Sequence, residues 1–131
     1  MITLVEHNDT MSLVDVVVEN VSFSAILLET PITAKYLHAD EPVTLLFKET
    51  EVSLAKNLQG ELSLRNRITA TVVSIERGEI LSAISLSFQG KKMVSVITTR
   101  AVKRLQLSVG DTVEALVKAN EVALMAGHHA D

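Results

Sequence analysis

The chain has 131 residues, 47% of them hydrophobic and 21% charged, with a formal net charge of −4 and no cysteine. It can build a core and is not disordered, and disulfides, thiolate metal sites and a cysteine nucleophile are excluded. An aromatic content of 3%, without tryptophan, argues against base-stacking nucleic-acid modules, so no direct nucleic-acid partner is expected.

The charge is uneven. Residues 1–60 hold three lysines against nine acids, net −6, whereas residues 61–131 hold nine basic residues against seven acids, net +2. Any anion contact therefore belongs mainly to the second half. The N-terminal MITLVEHNDTM lacks a basic flank followed by an apolar run, so it is not a signal peptide. No stretch approaches ~18 apolar residues, so membrane insertion is not expected and a cytoplasmic location is the default.

Along the chain, ITLV, SLVDVVV and SAILLE read as strands, after which Pro31 interrupts. VTLLFKETEVSL at 43–54 follows, and the polar AKNLQGE at 55–61 reads as a linker. SLRN then introduces ITATVVSI. In Leu81–Phe88, Ile84, Leu86 and Phe88 alternate with serines. In Thr112–Lys118, Val113, Ala115 and Val117 alternate with Thr112, Glu114 and Lys118. Both are the period-2 pattern of half-buried strands. Arg77-Gly78-Glu79 and Gln89-Gly90-Lys91 are glycine-centred hairpin turns. Between VSVIT and the last strands, Ala101, Val102 and Leu105 fall at helical spacing, Thr98 or Thr99 is placed to cap, and the Leu107–Asp111 turn closes a short helix.

VTLLFKETEVSL at 43–54 matches VEALVKANEVAL at 113–124 in register, an offset of 70 residues. This repeat predicts two small all-β modules, 1–57 and 62–126, with a disordered tail at 127–131. Each is marginal alone, so packing or oligomerisation is expected.

Ser63, Arg65 and Asn66 supply a hydroxyl, a guanidinium and an amide; they are either a polar strand start or an anion grip. Thr98 and Thr99 open the helix, where the amides of Thr99, Arg100 and Ala101 are available either to a plain cap or to an anion. Lys118, Ala119 and Asn120 end a strand, and their first-half equivalents are Lys48, Glu49 and Thr50, with Glu49 repelling anions unless it faces away. The four histidines show no metal-ligand spacing, so no metal cation is expected. There is no P-loop, no helix-turn-helix region and no catalytic constellation, so the chain is not read as an enzyme.

SLRNRITATVVSIERGEI followed by VITTRAVKRLQLSVGDTVEALVKANEVAL resembles the Mop domain, a TOBE-type module of molybdate- and tungstate-binding proteins. The first half, with EPVTLLFKETEVSLAKN leading into SLRN, is similar to the first member of a tandem Mop pair. Such pairs occur in the C-terminal regulatory region of molybdate-importer ATPases and in free-standing di-Mop proteins. The resemblance implies tandem OB-like five-stranded β-barrels, with a short helix in the second, and no catalytic cofactor. It implies molybdate or tungstate as ligand, held by Ser63, Arg65, Asn66, Thr98, Thr99, Ala101, Lys118, Ala119 and Asn120, more weakly by Lys48 and Thr50, at module or subunit interfaces. The partners it implies are further copies of the chain, as a dimer or trimer, or the ATPase domain of an ABC importer. Ala101 stands where some relatives carry serine, and Asn120 replaces a hydroxyl. A structural, oligomerising module with a decayed anion site is the alternative.

Overall fold

The structure is a computed structural model that describes residues 1–127. The expected tail, apart from Gly127, lies outside the described residues. Among the described residues ten strands form: β1 (Ile2–His7), β2 (Ser12–Val18), β3 (Val21–Leu27), β4 (Val43–Leu46), β5 (Ser53–Ala55), β6 (Asn66–Arg77), β7 (Leu81–Phe88), β8 (Lys91–Thr98), β9 (Thr112–Val117) and β10 (Ala123–Ala126). One helix, α1 (Thr99–Leu105), follows β8, and 3-10 turns occupy Glu49–Glu51 and Ala119–Glu121. The class is all-β with one short helix in the second half, as the alternation predicts.

The chain divides into two compact units, but not at the expected linker. One unit holds Met1–Phe47 with the chain from Lys118 on; the other is Lys48–Val117. The linear division at 1–57 and 62–126 is corrected by strand pairing. β5 pairs antiparallel with β9, Ser53 opposite Leu116, which carries residues 48–57 into the second unit. β10 pairs antiparallel with β4, Ala123 opposite Leu46, which returns the end of the chain to the first. The AKNLQGE stretch therefore connects β5 to β6 inside one unit.

Among the described residues each unit has five strands. In the first, β1-β2-β3 form one sheet and β4-β10 another; in the second, the order is β5-β9-β6-β7-β8. The second sheet curls on itself, since buried Ser95 of β8 donates to the Val52 carbonyl beside β5 at 2.6 Å.

The 70-residue register extends to individual hydrogen bonds. Asn8 N–H donates to the Met11 carbonyl at 3.0 Å, and Gly78 N–H to that of Leu81 at 2.9 Å. Ile2 exchanges bonds with Asp40 and Glu41 as Val72 does with Gly110 and Asp111. Both long hairpins shift register at equivalent places, between Ile2 and Leu4 and between Val72 and Ser74. The tight turns match as well. Glu19 and Asn20 have φ of 51° and 65°, and Gln89 and Gly90 have 47° and 81°. Two successive positive φ values define the type I′ turn that suits the strand twist, and Asn and Gly tolerate it best.

Buried Ile2, Val14, Val16, Ala34 and Leu37 make the first core. In the second unit, Ile68, Val72, Ile84, Leu86, Val102, Leu107 and Val113 are buried. Pro31, at the repeat position of Ala101, cannot give the N–H that the Thr98 cap takes in the second unit, and no helix forms here. Turns replace it there, and Ala34 and Leu37 fill the space below. α1 forms because Thr98 caps it, its hydroxyl oxygen accepting from Ala101 N–H at 3.1 Å, and left-handed Gln106 ends it.

Lys56 fastens the segment that joins β5 to the second unit. Its ammonium donates to the carbonyls of Leu105 and Gln106 at 3.3 and 3.0 Å and to Asp111 Oδ2 at 3.1 Å. A cation at a helix C-terminus meets the orphan carbonyls and the negative end of the dipole. The Asp111 carboxyl lies below its usual range, first because it accepts from Ser108 N–H and then because of Lys56.

Two measurements test this frame. Val52 and Val122 are repeat equivalents, 1% and 5% exposed. Truncating either to alanine should cost about 2 kcal/mol in urea unfolding, from two lost methyls plus a cavity. A lowered folded-state pKa at Asp111 contributes stability that is complete above the unfolded value of about 3.9 and is lost as pH falls through the folded value. Melting temperature against pH should therefore fall more steeply in acid for the parent than for Asp111→Asn.

Candidate functional site

The donors foreseen from the sequence fall into two groups. Asn66 begins β6 opposite Val117, the last residue of β9. Ser63 and Arg65 are exposed just before it, and Lys118 follows Val117 directly in the chain, also exposed. The strand ladder therefore brings SLRN to the strand end from which Lys118 continues. Asn66 itself is 0% exposed. Among the described residues no buried side-chain polar atom lacks a partner, so this amide is an anchored strand end rather than an open donor.

Lys118 leads into the 3-10 turn Ala119–Glu121, closed by Glu121 N–H donating to the Lys118 carbonyl at 2.9 Å and packed against β3. Ala119 is half-buried and Asn120 exposed. The equivalent turn, Glu49–Glu51, follows exposed Lys48, is closed by the same 2.9 Å bond, and packs against β8. Glu49 and Thr50 are both exposed there.

The second group is the start of α1, and it lies elsewhere. Thr98 pairs with Leu81 at the beginning of β7, while β7 continues from the far end of β6. The 12 residues of β6, at about 3.3 Å per step, put about 36 Å of strand between the SLRN end and the Thr98 end.

The amides at α1 differ from the expectation. Thr99 N–H donates to the Ile80 carbonyl at 2.8 Å, and Ala101 N–H is taken by Thr98. Two of the three amides foreseen as free are thus engaged, because the strand-to-helix corner uses them to satisfy its own acceptors. Thr99, 8% exposed, also donates its hydroxyl to the Gly78 carbonyl at 2.8 Å. Thr98 is exposed, and because its oxygen only accepts in the cap, its proton is left to give.

Sequence reasoning missed Arg67 and Ser82. Arg67 and Ser63 line an open depression with Gly60, Glu61 and Leu62. Arg67 Nη2 reaches both oxygens of Glu114 at 2.8 and 2.9 Å, neutralising an acid two strand positions from Leu116, its own register partner. The alternation of β6 and β9 could have flagged that pair. Ser82 is one of three serines in β7, with Ser85 and Ser87. Among the described residues no three His, Cys, Asp or Glu side chains gather as a metal site. No helix there is long and apolar enough to cross a membrane.

Five-stranded curled β units, duplicated and edged with hydroxyl and cationic donors, define a tandem OB-like binding module. The TOBE domain model matches residues 62–124. The chain is 35% identical over 63 residues to the probable molybdenum-pterin-binding protein of Haemophilus influenzae, covering 47% of this chain and 91% of that one. It is 43% identical over 81 residues to the molybdenum import ATP-binding protein ModC of Brucella abortus, 61% of this chain but 23% of that protein's length. Among solved structures, the cytoplasmic molybdate-binding protein ModG with molybdate bound superposes with a TM-score of 0.90 at 28% identity, over 96% of this chain and 92% of that one. The chain belongs to the Mop family of TOBE domains.

Gly78 tests the corner. A Cβ there would lie 2.3 Å from the Leu81 carbonyl oxygen, a backbone atom that cannot step aside cheaply. Gly78→Ala should destabilise by about 1–3 kcal/mol and speed amide hydrogen exchange at Thr99 and Ala101.

Proposed function

We propose that the chain binds molybdate or tungstate, for molybdenum storage and homeostasis where it acts alone, or as the sensing module beside the ATPase of a molybdate importer. The observation that carries this is the full-length similarity to molybdate-bound ModG, over 96% of the chain. The importer reading draws on the ModC match, of which this chain spans 23%.

The chemistry fits a doubly charged tetrahedral oxyanion. Ser63, Arg65, Thr98 and Lys118 offer hydroxyl and cationic donors, and hydrogen bonds between charged groups are the strong ones. A donor-only shell discriminates as well: phosphate near neutral pH often keeps a proton that needs an acceptor, and molybdate does not. The SLRN end and the Thr98 corner lie at opposite ends of β6, which favours a site that takes them from different copies of the chain. That supports a homo-oligomer, a dimer or trimer. The first half contributes less, since Leu28, Glu29 and Pro31 stand at the repeat positions of Thr98, Thr99 and Ala101.

A purely structural, oligomerising module is the second reading. The engaged Thr99 and Ala101 amides favour it, as does exposed Glu49 beside Lys48.

Calorimetric titration of the chain with molybdate, tungstate, sulfate and phosphate separates the two. Binding of the first two, with phosphate weaker, is expected; no heat with molybdate would sink the proposal. Lys118→Ala and Arg65→Ala should each weaken molybdate binding by about tenfold or more. At 100 times Kd the ligand should add about 2.7 kcal/mol to the parent's stability, and this gain should shrink in both variants.

A further inference from the structure

Ser82 is a buried hydroxyl, 1% exposed, on the second residue of β7. Its Oγ lies 2.7 Å from Thr99 Oγ1, which lies 2.8 Å from the Gly78 carbonyl oxygen. The direction of this relay follows from counting protons. A carbonyl only accepts, so Thr99 gives its single hydroxyl proton to Gly78. Ser82 must therefore be the donor to Thr99. The Thr99 hydroxyl has no proton left for a ligand, and its N–H is held by the Ile80 carbonyl.

Resting on the oxyanion reading above, we infer that Ser82 and Thr99 are positioning residues: their relay fixes the β8–α1 corner so that the neighbouring Thr98 hydroxyl presents its proton to the anion. Thr99 is thereby removed from the set of side chains that touch the ligand. Hydroxyl protons carry this role, not the amides of the short helix, two of which are internally engaged.

The duplication supplies an internal control. Ser12, 70 positions before Ser82 and equally buried, donates instead to the Glu29 backbone carbonyl at 2.7 Å. The serine that pins the corner is present in both units. Only in the second does a hydroxyl pair mediate the pinning, and only there is an exposed threonine the neighbour; the first unit has Leu28, 83% exposed. Ser12→Ala thus removes a buried serine anchor without touching a corner that carries donors.

The test is calorimetric titration with molybdate on the full chain, with melting temperature measured beside it. Thr99→Val keeps the shape and removes both bonds, and should weaken molybdate binding by about tenfold. Thr99→Ser restores the hydroxyl and should bring affinity back to near the parent value. Ser82→Ala should weaken binding in the same direction, and Ser12→Ala should lower the melting temperature while leaving affinity unchanged. Should Thr99→Val bind like the parent despite a lower melting temperature, or Ser12→Ala weaken binding as much as Ser82→Ala, the relay is merely structural and the inference is overturned. A parent that binds no molybdate overturns the oxyanion reading as well, so the two failures are distinguishable. If Thr99→Val does not fold, the Ser82→Ala and Thr99→Ser affinities decide: parent-like binding in Ser82→Ala, or loss in Thr99→Ser, refutes the relay.

Discussion

Neither half of this chain completes its own sheet, and the rest of the structure depends on that constraint. The strand that ends each repeat pairs in the unit built by the other repeat, β5 on β9 and β10 on β4. The backbone groups of β4 and β9 would otherwise form open edges, which are costly when buried and sticky when exposed. The exchange also sets where the chain crosses. The chain leaves one unit and enters the other at Phe47–Lys48 and at Val117–Lys118. Each crossing is marked by an exposed lysine and a 3-10 turn closed by the same bond.

Duplication then allows divergence. The hairpins, tight turns and long-range backbone bonds agree at an offset of 70, although β4 and β10 form a separate two-stranded sheet where β9 and β5 join a five-stranded one. The corners after β3 and β8 differ. The second has a capped helix with hydroxyls, whereas the first has Pro31, a glutamate and exposed apolar side chains. Positive charge follows the same division, with the surplus of basic residues in the second half. The capped hydroxyl corner belongs to the second unit alone, while Lys118 and the turn after it belong to the first.

Much of this was legible in sequence, because it is local. Alternation gave Leu81–Phe88 to the residue, the cap and apolar spacing gave α1, and VTLLFKETEVSL against VEALVKANEVAL gave the repeat. Pairing was not legible, since a repeat identifies what forms a strand and not which neighbour it joins; the boundary at 57–62 failed for that reason. The candidate donors were legible as residue types and not as states. Nothing in the letters TT says that one hydroxyl spends its proton on Gly78 while the next keeps its own. Likewise Asn66 reads as a donor and sits fully buried at a strand end, and Lys56 reads as linker and proves to be the fastening of α1.

The unequal continuity of the two units has a consequence for how the chain can be dissected. Lys48–Val117 is a single uninterrupted segment holding all five of its strands, and relative to the repeat it is circularly permuted, with the last strand placed first. The other unit is discontinuous, its two pieces separated by that whole insert. A cut at the apparent linker would sever the continuous unit between its first and second strands. Excision at 47/48 and 117/118, with a short peptide closing the gap, respects both. The natural seams of this protein are the two lysine crossings, and the glycine-containing stretch between them is interior thread.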